Sequence, residues 1–84
     1  MYEARTADFF LDITGEVCPL TFVKTKLLVE RMAPGQTLEV RLRAGEPLAN
    51  VPRSLAELGH AVLAVEAEEA GDPAGIHRLW VRKG

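Results

Sequence analysis

The chain has very little cysteine and no long apolar run, and both scarcities limit its possible functions. Cys18 is the only cysteine among its 84 residues. One thiol cannot build a disulfide framework or a multi-cysteine zinc site, so we expect a cytoplasmic, reducing environment. No apolar stretch reaches the length of a membrane span, and the charges at Glu3, Arg5 and Asp8 interrupt any signal-peptide core.

Aromatic residues and net positive charge are scarce as well. The chain has three Phe, one Trp and one Tyr, and its formal net charge is -2. This balance disfavours a small RNA-binding domain and general nucleic-acid binding, so we expect no nucleic-acid and no membrane partner. A chain of this length buries roughly 60 to 65 % of its unfolded surface, which predicts one domain over residues 1–84.

Turn residues and apolar periodicity divide the chain into six elements. The pattern predicts strands at 9–13, 37–43, 61–67 and 76–83, and helices at 19–33 and from Asn50 to Gly59. The order β-α-β-α-β-β predicts an α+β two-layer sandwich, in which a four-stranded mixed sheet carries two helices on one face. The other face would hold Arg41, Arg43, Arg78, Trp80 and Arg82.

The second helix is the least regular of these predictions. Residues 44–50 contain Gly45 and Pro47 and are typical of a loop, after which Asn50 can cap a helix. Pro52 would then lie in the first turn, and Val51, Leu55 and Leu58 would face the core.

Cys18 stands directly before Pro19, where a strand pattern changes to a helix pattern. The first N–H groups of a helix carry partial positive charge, which favours a thiolate or a persulfide. The dipole contributes only about 0.3 to 1 kcal/mol, less than one pKa unit, so N–H donation from Leu20 and Thr21 or a nearby cation must add to it. Since no second cysteine is present, a sulfurated Cys18 can exchange only with another molecule. The alternative is a small buried apolar residue.

The first helix has two different faces. Phe22, Thr25, Leu28, Val29 and Met32 form the arc predicted to face the core. The opposite arc contains two cations and three apolar side chains: Lys24, Arg31, Leu20, Val23 and Leu27. A solvated face, or packing of some of these apolar residues on the second helix, would explain this arc. It also has the composition of a docking surface for an acidic partner.

The two histidines are poor candidates for a catalytic dyad or a metal site. We expect His60 to close the end of the second helix and His77 to be exposed on the last strand. One cysteine and two scattered histidines lack metal-ligand spacing, and no pattern indicates a cofactor.

Several of these features occur together in one family. Leu11-Asp12, Gly15, Cys18-Pro19, Pro34-Gly35, Glu46-Pro47, Val51-Pro52 and Gly59-His60 follow one another as in the TusA/SirA-like sulfur-carrier proteins. The chain resembles this family from about Phe9 to Lys83. Two positions depart from the family pattern: Thr21 replaces the second proline of Cys-Pro-x-Pro, and Gly45-Glu46-Pro47 replaces Asp-Asp-Pro.

The resemblance implies a sulfurtransferase in which Cys18 carries sulfur as a persulfide. The sulfur would come from a cysteine desulfurase or a rhodanese-type donor and would pass to an acceptor protein, for transfer-RNA thiolation, cofactor synthesis or inorganic sulfur metabolism. Pro19, Leu20 and Thr21 would form the helix start beside the sulfur. Lys24, Arg31, Leu20 and Val23 are our candidates for partner binding. The alternative is a non-catalytic regulatory or scaffolding module of the same fold.

Overall fold

Four strands and two helices make up the fold. The computed structural model describes residues 7–16, 20–69, 71–72 and 74–84. In chain order the elements are β1 (Phe9–Asp12), α1 (Leu20–Arg31), β2 (Thr37–Arg43), α2 (Glu46–Glu57), β3 (Ala61–Ala67) and β4 (Ile76–Arg82). The order β-α-β-α-β-β is therefore as predicted.

The strands form one mixed sheet in the spatial order β1-β2-β4-β3. β1 runs parallel to β2, while β4 is antiparallel to both β2 and β3. The connection through α1 is therefore a crossover between parallel neighbours, and β4 is inserted between β2 and β3. Both helices lie on one face, which we call the inner face, and the opposite side of the sheet is the open face.

The core fills the space between the inner face and the helices. Alternation along β2 buries Leu38, Val40 and Leu42 completely, as the pattern predicted. The other buried apolar members come from the remaining elements: Ile13, Val29, Met32, Val51, Leu55, Leu79 and Val81. The predicted two-layer α+β sandwich is confirmed.

α2 begins earlier than the sequence indicated. The predicted loop at 44–50 is wrong, because the helix starts at Glu46 with Gly45 as its N-cap residue. Pro47 lies in the first turn, where its missing N–H costs nothing, and the Glu46 carboxylate lies at the positive helix end. The predicted cap at Asn50 is also wrong, since its Oδ1 accepts a hydrogen bond from Arg53 within the helix, at 3.1 Å.

Two further expectations for α2 are corrected. Pro52 lies inside the helix instead of in its first turn. The buried neighbours Val51 and Leu55 hold this turn against the sheet, so packing outweighs the intrahelical hydrogen bond that proline cannot make. Leu58 is 49 % exposed and not part of the core, because it is the C-cap residue where the chain leaves the helix.

The end of α2 is a complete Schellman motif, and His60 belongs to it. Gly59 has φ +95°, its N–H donates to the Ala56 carbonyl, and the His60 N–H donates to the Leu55 carbonyl. The His60 ring accepts a hydrogen bond at Nδ1 from the Gly84 N–H, at 3.1 Å. His60 therefore ties the helix end to the end of β4.

Candidate functional site: the loop before Cys18 and the first helix

The predicted site lies between β1 and α1. Cys18 and Pro19 fall outside the described residues. The described chain reaches this segment from both sides, ending at Glu16 and resuming at Leu20, which is the first residue of α1 as the structure describes it. Leu20 and Thr21 accordingly open the helix as the structure describes it.

Ile13, Thr14, Gly15 and Glu16 form the loop that leads from β1 toward Cys18, and this loop is held against the sheet. Ile13 is buried, and its N–H donates to the Arg41 carbonyl at 2.9 Å. The Glu16 N–H donates back to the Ile13 carbonyl at 3.1 Å, which closes a turn. The direction in which the chain leaves β1 is therefore set by backbone hydrogen bonds.

Asp12, the last residue of β1, supports the same loop. Its Oδ1 accepts hydrogen bonds from the Thr14 N–H at 2.9 Å and from the Thr14 hydroxyl at 2.7 Å. These bonds, with a smaller contribution from Arg41, lower the pKa of the Asp12 carboxyl. Asp12 therefore remains ionised at neutral pH.

Lys24, which the sequence predicts to bind a partner protein, forms an ion pair within the chain. Its Nζ lies 2.8 Å from Oε2 of Glu16. This ion pair joins the second turn of α1 to the loop. Lys26 is similarly placed 3.7 Å from Glu30, one turn along the helix. Much of the positive charge on α1 is thus balanced locally, which the sequence reasoning did not anticipate.

Thr21 faces the core. It is fully buried, and its carbonyl accepts a hydrogen bond from the Thr25 hydroxyl at 2.8 Å. Thr25 and Val29 are buried on the same arc, as predicted. The burial of Thr21 was missed, although its spacing of one turn from Thr25 is a signal that could have revealed it.

The opposite arc of α1 is apolar and exposed. Leu20 is 47 % exposed, Val23 41 % and Leu27 55 %, and Arg31 is exposed at the C-terminal end of the same helix. None of these three apolar side chains is buried against α2. We call Leu20, Val23, Lys24, Leu27 and Arg31 the α1 surface.

The open face carries a network of charges that sequence reasoning missed. Arg41 and Arg78 are directly opposite each other on β2 and β4. Glu68 lies between them, and hydrogen bonds, chiefly from Arg41, lower its pKa from the ordinary 4.5 to about 2. Arg78 also contacts Glu39, and Arg41 also contacts Asp12. The predicted open-face arginines are present on this face, but these two are matched by carboxylates.

His77 is buried, so its predicted exposure is wrong. Only 9 % of it is exposed, because it alternates with Leu79 and Val81 and therefore faces inward with them. Its Nδ1 lies 3.2 Å from the Gly75 carbonyl, which requires that nitrogen to carry the proton. Within the described ranges no three His, Cys, Asp or Glu side chains are grouped as metal ligands.

With this geometry in place, similarity to known proteins identifies the family. Residues 9–83 match the sequence profile of the family described as "Sulfurtransferase TusA". The chain belongs to the TusA sulfurtransferase family. The match includes β1, the loop, Cys18 and both helices, and it confirms the resemblance noted from the sequence motifs.

Individual TusA-family relatives agree with this assignment. A protein of Archaeoglobus fulgidus, named as a candidate sulfur carrier, is 48 % identical over 60 residues, which are 71 % of this chain and 68 % of the relative. The sulfur carrier protein TusA of Pseudomonas syringae is 30 % identical over 81 residues, covering 96 % of this chain and 90 % of the relative.

A solved structure shows the same fold. The SirA-like protein from Desulfitobacterium hafniense superposes with a TM-score of 0.72 at 18 % identity, covering 90 % of this chain and 97 % of that one. Neither α1 nor α2, the two helices of the described residues, has the length and apolar character needed to cross a membrane.

Proposed function

We propose that the protein is a single-domain sulfur carrier that holds sulfur as a persulfide on Cys18 and works in the cytoplasm. The observation that carries this proposal is the family match over residues 9–83, which includes the only thiol of the chain. The site geometry supports it, because a loop anchored to the sheet leads to Cys18 on one side and a helix N-terminus follows it on the other. A thiolate or persulfide is the kind of anion that such a helix end favours.

The reaction is a transfer of one sulfur atom between thiols. The Cys18 thiolate attacks the terminal sulfur of a persulfide on a cysteine desulfurase or rhodanese-type donor. A new S–S bond forms on Cys18 while the donor's S–S bond breaks, and the donor cysteine leaves as a thiolate. No net oxidant is consumed. An acceptor protein's nucleophile then attacks the terminal sulfur, and Cys18 leaves as the thiolate.

The α1 surface is our proposed docking area for donor and acceptor. Its three apolar side chains are each between 41 and 55 % exposed and lie on one arc of the same helix, and apolar side chains grouped in this way can mark a protein interaction site. Lys24 is paired with Glu16, whereas Arg31 makes no ion pair among the described residues. Contact with an apolar patch bordered by carboxylates on the partner would match this composition.

Mass spectrometry tests the carrier role directly. The protein is incubated with a cysteine desulfurase and cysteine, and its intact mass is then measured with and without reductant. We expect the wild type to gain the mass of one sulfur atom, which reductant removes, and the Cys18→Ala variant to gain nothing.

Two results would contradict the carrier proposal. One is a wild type that takes up no sulfur from the desulfurase or, when the incubation is repeated with a rhodanese and thiosulfate, from that donor, and this result would favour the scaffolding module. The other is equal sulfur uptake by Cys18→Ala. Folding of the variant is checked by its urea midpoint.

A further inference from the structure

A continuous chain of side chains crosses the open face. Glu39 accepts from Arg78, and Nε and Nη2 of Arg78 lie 3.1 and 3.0 Å from Oε1 of Glu68. Arg41 donates to both oxygens of Glu68, at 2.8 and 2.9 Å, and its Nη1 donates to Oδ2 of Asp12 at 3.1 Å. We call these five residues the charge chain. It connects β4, β2 and the end of β3 to β1.

The charge chain ends on the loop that leads to Cys18. Oδ2 of Asp12 faces Arg41, whereas Oδ1 accepts both hydrogen bonds from Thr14. Thr14 is also held at its carbonyl group, which accepts a hydrogen bond from Nε of Arg43 at 2.7 Å. Thr14 is thus held at its N–H, its hydroxyl and its carbonyl by groups that belong to the sheet.

Such anchoring has more effect on geometry than on stability. Ion pairs near solvent contribute little to folding free energy, with a median of about 0 to 1 kcal/mol. An irregular loop, however, can adopt many conformations, and side-chain hydrogen bonds of this kind restrict it to one. A misplacement of about 1 Å at a reacting group can reduce a rate by about a hundredfold. We therefore expect the charge chain to affect the reaction at Cys18, the residue toward which the loop leads, more than it affects the stability of the fold.

We propose that Asp12 is a positioning residue for Cys18. Through Thr14 and Arg41 it fixes the loop of residues 13–16 to the sheet, and so sets the point from which the chain continues to Cys18, two residues after Glu16. This inference rests on the proposed carrier function. It assigns to the open face a role in the reaction, although that face lies on the side of the sheet away from the helices.

Two substitutions at position 12 separate the two roles of the carboxylate. Asp12→Ala removes the acceptor for Thr14 and the partner of Arg41. Asp12→Asn keeps an oxygen that can accept from Thr14 and removes only the charge facing Arg41. Arg82→Met is the matched control, because Arg82 is exposed on the same face and makes no ion pair among the described residues.

The first measurement is the rate of Cys18 alkylation by iodoacetamide between pH 5 and 9, which does not depend on any sulfur donor. We expect Asp12→Ala to move the midpoint of this profile upward, toward an ordinary thiol near pH 8.5. Asp12→Asn should lie between Asp12→Ala and the wild type, and Arg82→Met should match the wild type. In urea all four proteins should react alike. Glu16 and Lys24, the charges on the loop and on α1, are unchanged in every variant.

The second measurement is sulfur uptake from a desulfurase at varied donor concentration. Asp12→Ala should lower kcat about tenfold or more with little change in KM, since positioning and not docking is lost. Superimposable alkylation profiles and equal kcat values for wild type and Asp12→Ala would overturn the proposal. Failure of the carrier function itself is distinguishable, because the wild type would then take up no sulfur while the alkylation profiles would still differ.

Discussion

At the scale of single residues, Glu68 joins two arginines of the open face. It follows directly after β3 and meets two guanidinium groups, Arg41 and Arg78, which the strand register places opposite each other. Like charges in directly opposed cross-strand positions destabilise a sheet. Because the Glu68 carboxylate lies between the two guanidinium groups and attracts both, it offsets their mutual repulsion.

We therefore expect the stability to fall in acid partly because of Glu68. The pKa of its carboxyl is lowered from 4.5 to about 2 in the folded protein, mainly by hydrogen bonds from Arg41. A lowered pKa means that this contribution is complete above about pH 5 and is lost as the pH falls toward 2. Urea midpoints measured from pH 7 to pH 2 should therefore decline more steeply for the wild type than for Glu68→Gln.

The control for this prediction is Glu57→Gln, which removes an exposed carboxylate from α2, on the other side of the sheet. Its urea midpoints should follow those of the wild type more closely across this range. A constant difference between wild type and Glu68→Gln at every pH would show that Glu68 gains nothing from its arginine partners.

At the scale of elements, the start of α2 depends on Gly45. This residue has φ 100° and ψ -142°, a conformation available essentially only to glycine. It allows β2 to end at Arg43 and the helix to begin at Glu46, with the Ala49 N–H donating to the Gly45 carbonyl at 3.0 Å. Because the helix begins this early, Val51 and Leu55 lie on the turns that pack against the sheet, and both are buried.

Gly45→Ala should lower the free energy of unfolding by about 1 to 3 kcal/mol. A Cβ at this position meets no atom within 4 Å, so the whole effect comes from the backbone conformation. Gly15→Ala is the matched control for stability, because its surroundings are equally open and its φ is not positive. The urea midpoints of both variants are measured, and equal midpoints would contradict the claim that Gly45 is required for its backbone conformation.

At the scale of the whole molecule, the open face of the sheet and the α1 surface differ in the kind of side chain they expose. The open face has carboxylates beside Arg41 and Arg78 and one strongly exposed apolar side chain, Phe10, at 56 %. The α1 surface carries three exposed apolar side chains on one helix, together with Arg31, which makes no ion pair within the part of the chain that the structure describes. A partner would therefore remove more apolar area from water on the α1 side.

We expect the double substitution Val23→Asp, Leu27→Asp to lower kcat/KM for sulfur uptake at least about tenfold, through a higher KM. Arg31→Glu should weaken the salt dependence of the rate, because a long-range attraction is lost. Leu58→Asp is the control, because Leu58 is 49 % exposed at the end of α2, outside both the α1 surface and the charge chain, and this variant should leave kcat and KM unchanged. An equal loss in Leu58→Asp would contradict docking on the α1 surface.

Much of this could be read from the sequence because the responsible interactions are local. Alternation along β2 and β4, the glycine at position 59 and the apolar arc of α1 depend on neighbours within one or two turns. The error at α2 had a definite cause. Gly45 and Pro47 together predict a loop, whereas a positive φ followed by a proline in the first turn also starts a helix. His77 was misplaced although its parity with Leu79 and Val81 required an inward direction.

The sequence by itself determined the order of the elements, the family and the presence of a single thiol, since each follows from residue types and their spacing. The tertiary structure decided which charges meet. Asp12, Arg41, Glu68 and Arg78 are separated by up to 66 positions in the chain, and only the strand order brings them together. Contacts between such distant residues depend on how the sheet assembles, and no local pattern encodes them.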